Sequence, residues 1–255
     1  MSSRYLAIDD LRDDLRDLLD ARPDDAPEYH RAYEMSWFHH ENALEGVVLT
    51  EEEILLALEY DVVADATLLS LVTLVRNHRD ALRLVKAEAN RRGGAIEVPF
   101  LVELFRTLSR GLEGKPDALW RKEMPLHRAY YHEILQPPKI APELEKLCAF
   151  TATAEFREFH PLKQAAHVHW GLMRVYPFVD HNGRVARLAQ TVYLLRAGYP
   201  PAILHAIDRQ RYYDVLRVPA AALRSLLTEA MQNSLENSKK FFRAKREAAR
   251  RAASE

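Results

Sequence analysis

The sequence lacks several features that mark secreted, membrane-spanning or nucleic-acid-binding proteins. Its single cysteine among 255 residues is Cys148, so no disulfide can form within the chain, which favours a reducing compartment. No run of about 18 apolar residues occurs, and no membrane-spanning helix is expected. The formal net charge of −1 gives no global attraction to nucleic acid. The acidic N-terminus lacks an apolar signal segment, so we expect a cytoplasmic protein, or one exported without a cleaved signal.

Strand signals are almost absent, and the sequence contains neither an internal repeat nor the zinc-binding spacing H-E-x-x-H. Apolar residues recur instead at helical spacing over most of the chain, and Thr50 with Glu53 forms a capping-box pattern. The pattern predicts a mainly α protein. Its expected helices are 8–21, 28–45, 66–91, 97–110, 142–159, 161–176, 184–197, 208–217 and 219–246.

We expect three regions along the chain: an N-terminal helical region over 1–65, a core over 66–217, and a C-terminal helix with a basic tail over 218–255. The stretch "KKFFRAKREAARR" in the tail carries seven basic residues and one glutamate. We interpret it as a solvated helix end, where basic side chains are favoured by the helix dipole. Contact with nucleic acid or an acidic partner is the alternative.

The segment around residues 176–187 carries the chemistry. A helix is expected to end near Tyr176, because Pro177 cannot continue it, and a new helix is expected to start near Gly183. The free N–H groups at such a helix start attract anions. Asn182 and Gly183 tolerate the unusual backbone of an anion-binding loop, and Asp180 precedes it as a carboxylate for Mg²⁺.

Two arginines follow on the same helix. Arg184 and Arg187 are three residues apart, so they project from neighbouring positions. Together with the loop, they are typical of a site for a nucleotide polyphosphate. Taken by spacing alone, the same residues also fit an ordinary turn followed by surface charges.

The segment "YPFVDHNGRVAR" resembles the Fic (Fido) signature H-P-F-x-[D/E]-G-N-G-R-x-x-R. The resemblance extends from about residue 33 to residue 217 and includes "WRKEM" and "QPPKIAPELEKL", which are similar to segments around the Fic target-binding flap. Upstream, "HHENALEGVVLTEEE" resembles the [S/T]-x-x-x-E-[G/N] inhibitory helix of autoinhibited Fic proteins. The resemblance implies a helical Fic-type domain with a small β-hairpin flap.

The resemblance also implies a reaction, the transfer of AMP from ATP to a Ser, Thr or Tyr hydroxyl of a target protein bound near the flap at 121–136. Asp180 would bind Mg²⁺, and Glu45 would be the inhibitory glutamate that pairs with Arg187. We expect neither a membrane nor a nucleic-acid partner, and a homodimer stays open. The positions expected to bind the nucleotide are Phe178, Asn182, Gly183, Arg184 and Arg187.

The chain departs from the family pattern at two positions of the motif. Tyr176 replaces the histidine that takes the proton from the attacking hydroxyl in the family. A tyrosine with a pKa of about 10 is a poor base at neutral pH, where only about one phenol in a thousand is ionised. His181 replaces a glycine next to the phosphates; it is either a tolerated loop residue or a substitute base or ligand. His167 and His169 are interpreted as packing or surface residues.

A third departure lies in the inhibitory helix, where Glu41 replaces Ser or Thr. Glu41 and Glu45 are four residues apart and share one helix face. Both carboxylates could serve the arginine pair, which would tighten inhibition; in the alternative, Glu41 is solvated at the surface.

Three functions are therefore compared: a Fic-type transferase with unusual acid–base chemistry, a pseudo-enzyme that keeps the nucleotide site, and an interaction protein that uses only the flap and tail. The set of Asp180, Asn182, Arg184 and Arg187 argues against the third. Tyr176 leaves the first two open, with the transferase preferred.

Overall fold

The computed structural model describes residues 3–60, 66–91, 94–112, 118–125 and 132–252, and most of these lie in α-helices. The helices of the described residues are α1 (Ser3–Ala21), α2 (Ala26–Leu44), α3 (Glu51–Glu59), α4 (Leu69–Asn90), α5 (Val98–Ser109), α6 (Ile140–Thr151), α7 (Ala154–Arg157), α8 (Pro161–Val175), α9 (Asn182–Arg196), α10 (Arg209–Val215) and α11 (Ala220–Ala252). None of these helices is long and apolar enough to cross a lipid bilayer.

Side-chain caps set several helix boundaries. At the start of α3, Thr50 Oγ1 accepts from the Glu53 N–H at 3.2 Å, and Glu53 Oε2 accepts from the Thr50 N–H at 2.8 Å. The prediction of one helix over 142–159 was wrong. α6 ends at Thr151, and Thr153 then caps the short α7 by accepting from the Phe156 N–H. A threonine hydroxyl offers the backbone this local alternative to a continuous helix.

α9 lies at the centre of the molecule, packed against α8, α4 and α5. The residues of α9 from Asn182 to Leu194 are buried on almost every side, with Gly183 as the exception. The long α11 packs along α8 and α1. This arrangement places the N-terminus of α9, and the polar side chains near it, inside the protein rather than at its surface.

The flap does not contain the expected β-hairpin in the residues that the structure describes. The described part has one isolated antiparallel bridge, between Trp120 and Phe178, and no strand. Residues 126–131, the middle of the expected flap, lie outside the described residues. Both described ends nevertheless reach the motif, because the Arg121 N–H donates to Pro177 O at 3.1 Å and the Leu135 N–H to Arg174 O at 3.0 Å.

Candidate active site

The loop between α8 and α9 is bounded by two residues with left-handed backbone. Tyr176 ends α8 with φ 49° and ψ 61°, and its N–H donates to Leu172 O at 2.7 Å. His181 precedes α9 with φ 57° and ψ 14°. Histidine enters this region more readily than most residues, whereas a bulky tyrosine there is uncommon. His181 therefore has the left-handed backbone that glycine, the family residue at this position, would adopt without strain.

Asn182 and Phe178 hold the loop from inside. Asn182 Nδ2 donates to Phe178 O, and Asn182 Oδ1 accepts from the Phe178 N–H, both at 2.9 Å. The Phe178 ring is fully buried and stacks on Phe105 and Trp120, with ring centroids 4.7 and 5.3 Å apart. Both side chains thus shape the loop, and their expected contact with a nucleotide stays a prediction.

A carboxylate lies directly against the N-terminus of α9. A Cβ atom placed on Gly183 would lie only 2.6 Å from Glu45 Oε1 and 2.9 Å from Arg187 Nη1. Any larger residue would therefore push the carboxylate and the guanidinium away. The positive end of the helix dipole favours an anion here, and the Glu45 carboxylate is an anion that lies beside it.

Arg187 is fully enclosed and has a different partner on each of its three nitrogens. Its Nε donates to Glu41 Oε2 at 2.7 Å, its Nη2 to Glu45 Oε1 at 2.6 Å, and its Nη1 to the Tyr212 hydroxyl at 3.3 Å. The pairing of Glu45 with Arg187 that the sequence predicts is present. Glu41 is buried and paired, so the alternative of a solvated surface position was wrong.

The three charged groups of this cluster, Glu41, Glu45 and Arg187, shift one another's pKa values. Burial opposes the charge of Arg187, but Glu41 and Glu45 outweigh it and hold the pKa of Arg187 well above its usual range. Burial also acts against the ionised form of Glu45, yet Arg187 and Arg184 keep its pKa below the usual value. For Glu41, burial is the stronger influence and raises the pKa. The two carboxyls therefore ionise as a coupled pair, Glu45 before Glu41.

Arg184 is held by two buried partners, neither of which the sequence analysis paired with it. Its Nη2 donates to Asn42 Oδ1 on α2, and its Nη1 donates to His181 Nδ1, both at 3.2 Å. Since a guanidinium only donates, His181 Nδ1 acts as the acceptor. The basic nitrogen of His181 is thus engaged by Arg184, which argues against His181 as a substitute base. Arg184 Nε is buried without a hydrogen-bond partner.

A second polar chain, which spacing arguments missed, supports Arg187 from the other side. His169 is fully buried, and burial lowers its pKa to about 3, so the imidazole is neutral. Its Nδ1 donates to Gln190 Oε1 at 2.8 Å, which leaves Nε2 to accept from the Tyr212 hydroxyl at 2.9 Å. His169 was expected to be a packing or surface residue. It is buried, but its role in the core is polar.

Tyr176 lies at the C-terminus of α8, where Arg121 donates hydrogen bonds to several carbonyl groups. Arg121 Nε donates to Tyr176 O at 2.5 Å and Arg121 Nη2 to Val175 O at 3.2 Å, and the same nitrogen bonds Leu135 O. The Tyr176 ring is half-buried, and its centroid lies 5.8 Å from that of His132. Arg121 therefore fixes the Tyr176 backbone and both described ends of the flap at once.

Asp180 is a single carboxylate, so it could hold a Mg²⁺ ion only if phosphate oxygens of a bound nucleotide supplied further ligands. Its Oδ1 accepts from the His181 N–H at 2.7 Å. Within the described residues, no three His, Cys, Asp or Glu side chains form a metal cluster. Mg²⁺ in nucleotide sites is commonly held by one or two carboxylates plus phosphate oxygens. A single aspartate just before the N-terminus of α9 fits that mode.

In this helical domain a buried helix N-terminus is bordered by Gly183, Arg184 and Arg187. Such an arrangement suits an anion, and we call these three residues the cradle. Residues 96–194 match the model of the Fic/DOC family. The match covers less than half of the chain and agrees with the family expected from the motif.

Two relatives are named "Protein adenylyltransferase Fic". The protein from Aedes aegypti is 50% identical over 60 residues, which cover 24% of this chain and 12% of the relative. The protein from Drosophila persimilis is 26% identical over 211 residues, or 81% of this chain and 41% of the relative. The chain thus spans less than half the length of these relatives.

Solved structures agree on the fold. Fic-1 from C. elegans superposes with a TM-score of 0.75 at 20% identity and covers 93% of this chain and 70% of that chain. A Fic domain containing signaling protein from Bacteroides thetaiotaomicron gives a TM-score of 0.77 at 20% identity, over 93% of this chain and 97% of that chain. At this identity the likeness establishes the architecture and not the activity.

Proposed function

We propose that this chain is a Fic-type nucleotidyltransferase that transfers AMP from ATP to a hydroxyl of a target protein and is held in a resting state by Glu45. The observation that carries the proposal is the Glu45 carboxylate at the N-terminus of α9, between Gly183 and Arg187. A carboxylate in that position accepts from Arg187 and lies at the positive end of the α9 dipole, where a phosphate would also be favoured. The names of the relatives support the same activity.

In the proposed reaction, the residues of the site bind the phosphates and accept the proton of the target hydroxyl. With Glu45 displaced, the N–H groups of α9 and the side chains of Arg184 and Arg187 bind the phosphates. The target hydroxyl oxygen attacks the α-phosphorus, the bond from that phosphorus to the bridging oxygen breaks, and pyrophosphate leaves. The hydroxyl proton passes to the phenolate oxygen of Tyr176, a form that only about one molecule in a thousand carries at neutral pH. When bound at Asp180, Mg²⁺ would neutralise charge on the phosphates.

The target protein would approach along the segment 121–136. The described ends of this segment are fixed to the motif by the Leu135–Arg174 and Arg121–Pro177 hydrogen bonds. A chain bound there would place its hydroxyl close to the loop between α8 and α9. Because the relatives are named protein adenylyltransferases and the net charge of −1 gives no attraction to nucleic acid, we infer a protein partner.

Calorimetry with Mg²⁺ and nucleotides tests the site without requiring turnover. The wild-type chain should bind weakly, and Glu45→Gly should bind more tightly, because the cradle is then empty. Arg184→Ala in the Glu45→Gly background should lose most of that gain. If neither the wild type nor Glu45→Gly binds any nucleotide, the proposal is wrong.

A pseudo-enzyme that binds nucleotide without transferring it is the second candidate, and Tyr176 favours it. The phenol replaces the family base, and His181, the nearest substitute, already accepts from Arg184. A base with a pKa of about 10 populates its active form poorly at neutral pH. Wild-type transfer is therefore expected to be slow.

A further inference from the structure

The two glutamates that contact Arg187 are not equivalent. The Glu45 side chain is 24% exposed and follows the last residue of α2, next to Gly46 with φ 87°. The Glu41 side chain is 3% exposed and lies one turn further back. Glu45 can therefore turn outward through a local change, whereas Glu41 can leave only if the helix itself moves.

The body of α2 is firmly anchored around Glu41. Trp37, Phe38 and Leu44 on the same helix are buried in the core. Asn42 adds a hydrogen bond to Arg184 on α9. Displacement of α2 would expose these side chains, so opening of the cradle by Glu45 alone requires much less rearrangement.

Glu41 consequently remains beside Arg187 after Glu45 has left. Arg187 is 1% exposed, and a buried guanidinium without a counter-ion is strongly unfavourable. Once the neighbouring negative charge of Glu45 is gone, Glu41 is the group that neutralises Arg187. The opened site then presents a paired arginine rather than a free cation.

We propose that Glu41 removes the preference for a third phosphate, so that the opened site accepts nucleoside diphosphates as readily as nucleoside triphosphates. The inference rests on the proposed function, because it concerns the same phosphate cradle. Arg187 is the arginine expected to meet the terminal phosphate, and its Nε edge is already taken by Glu41. A third phosphate would bring further negative charge against Glu41 without gaining an unpaired arginine.

The test compares the affinities of ATP and ADP with Mg²⁺ by calorimetry in three variants. In Glu45→Gly the two dissociation constants should agree within about threefold. In Glu45→Gly with Glu41→Gln, ATP should bind about tenfold more tightly than ADP, since a freed arginine then gains a charge-assisted contact. Glu34→Gln, added to Glu45→Gly, is the matched control on α2. Glu34 pairs with Lys86 at a distance of 2.6 Å, and neither residue belongs to the cradle. This change should leave the ratio of the two dissociation constants unchanged.

The outcomes are separable. If ATP binds Glu45→Gly about tenfold more tightly than ADP, or if Glu41→Gln leaves the ratio unchanged in a folded protein, the role of Glu41 is refuted while the proposed function stands. If neither nucleotide binds any variant, the proposed function itself fails and this inference falls with it. Circular dichroism establishes that the double variant is folded; should it unfold, the ratio in Glu45→Gly alone decides.

Discussion

Arg184 depends on Asn42 to remain charged inside the protein. Burial lowers the pKa of Arg184, and the Asn42 side-chain oxygen is one of its two neutral partners. Asn42→Ala would leave one guanidinium nitrogen buried without that acceptor. We therefore predict a loss of about 1–3 kcal/mol in the free energy of unfolding, measured with urea. Asn233→Ala, at an exposed position of α11, should change it by less than about 0.5 kcal/mol. Equal losses for the two variants would contradict this role of Asn42.

Glu45 gives the site a pH dependence whose sign follows from its lowered pKa. Ionised Glu45 stabilises the folded protein above its ordinary pKa of 4.5, and this contribution is lost as the pH falls through the lower folded-state value. Glu45→Gln should therefore lower the free energy of unfolding near neutral pH, and the difference from wild type should shrink as the solution is acidified below about pH 4.5. A difference that stays constant, or grows in acid, would show that the carboxylate is not held as described.

At the scale of helices, α2 and α9 are joined by the shared guanidinium of Arg187. Either glutamate alone can compensate that buried charge, whereas removal of both leaves none. We predict that Glu41→Gln and Glu45→Gln together cost about 1–3 kcal/mol more than the sum of the single changes. Urea unfolding of the four proteins in the cycle measures the coupling. Additive losses would mean that the two carboxylates act independently.

The flap segment is joined to α8 through Arg121. Its guanidinium bonds the carbonyls of Val175, Tyr176 and Leu135, so its removal should loosen the end of α8 and both described ends of the flap. The Leu135 N–H donates to Arg174 O at 3.0 Å and the Val179 N–H to Leu119 O at 3.3 Å. In Arg121→Ala, hydrogen exchange should become faster at both of these amides. Lys122→Ala, at the exposed neighbouring position, is the control and should leave both amides protected. Unchanged exchange in Arg121→Ala would refute this anchoring role.

Local patterns in the sequence predict the helices and the loop, and the reasons are physical. Pro177 ends α8, and the Thr50–Glu53 box starts α3, because these signals act over a few residues. The contacts of Arg184 with Asn42 and of Arg121 with Tyr176 were missed because they join distant segments of the chain. Asn42 lies 142 positions from Arg184, and Tyr176 lies 55 positions from Arg121. Glu45 was found only because a family motif marks its position.

For the molecule as a whole, the chemistry available to Tyr176 distinguishes the two proposed functions. These are a slow transferase and a protein that binds nucleotide without transferring it. If only the proton acceptor is missing, Tyr176→His combined with Glu45→Gly should label itself with radioactive ATP, visible on a gel, while Glu45→Gly alone stays unlabelled. The gain reflects a base whose pKa of about 6.5 suits neutral pH.

The reverse pattern would identify the phenol as a participant. Glu45→Gly would then be labelled, and the further change Tyr176→Phe would abolish the label. Labelling that is equal in Glu45→Gly and in Glu45→Gly with Tyr176→Phe would exclude any catalytic role for the phenol. If Tyr176→His stays inert, the added change His181→Gly tests whether His181 and its contact with Arg184 block the phosphate site.

Our central proposal is that Glu45 occupies the place of a phosphate at the N-terminus of α9. A crystal structure of Glu45→Gly with Mg²⁺ and nucleotide tests this most directly, with the wild-type crystal as its reference. We expect a phosphate oxygen beside Gly183, where Glu45 Oε1 lies in the wild type, and contacts of Arg184 and Arg187 with the phosphates. A nucleotide bound elsewhere, or a wild-type crystal in which Glu45 lies away from Arg187, would contradict it.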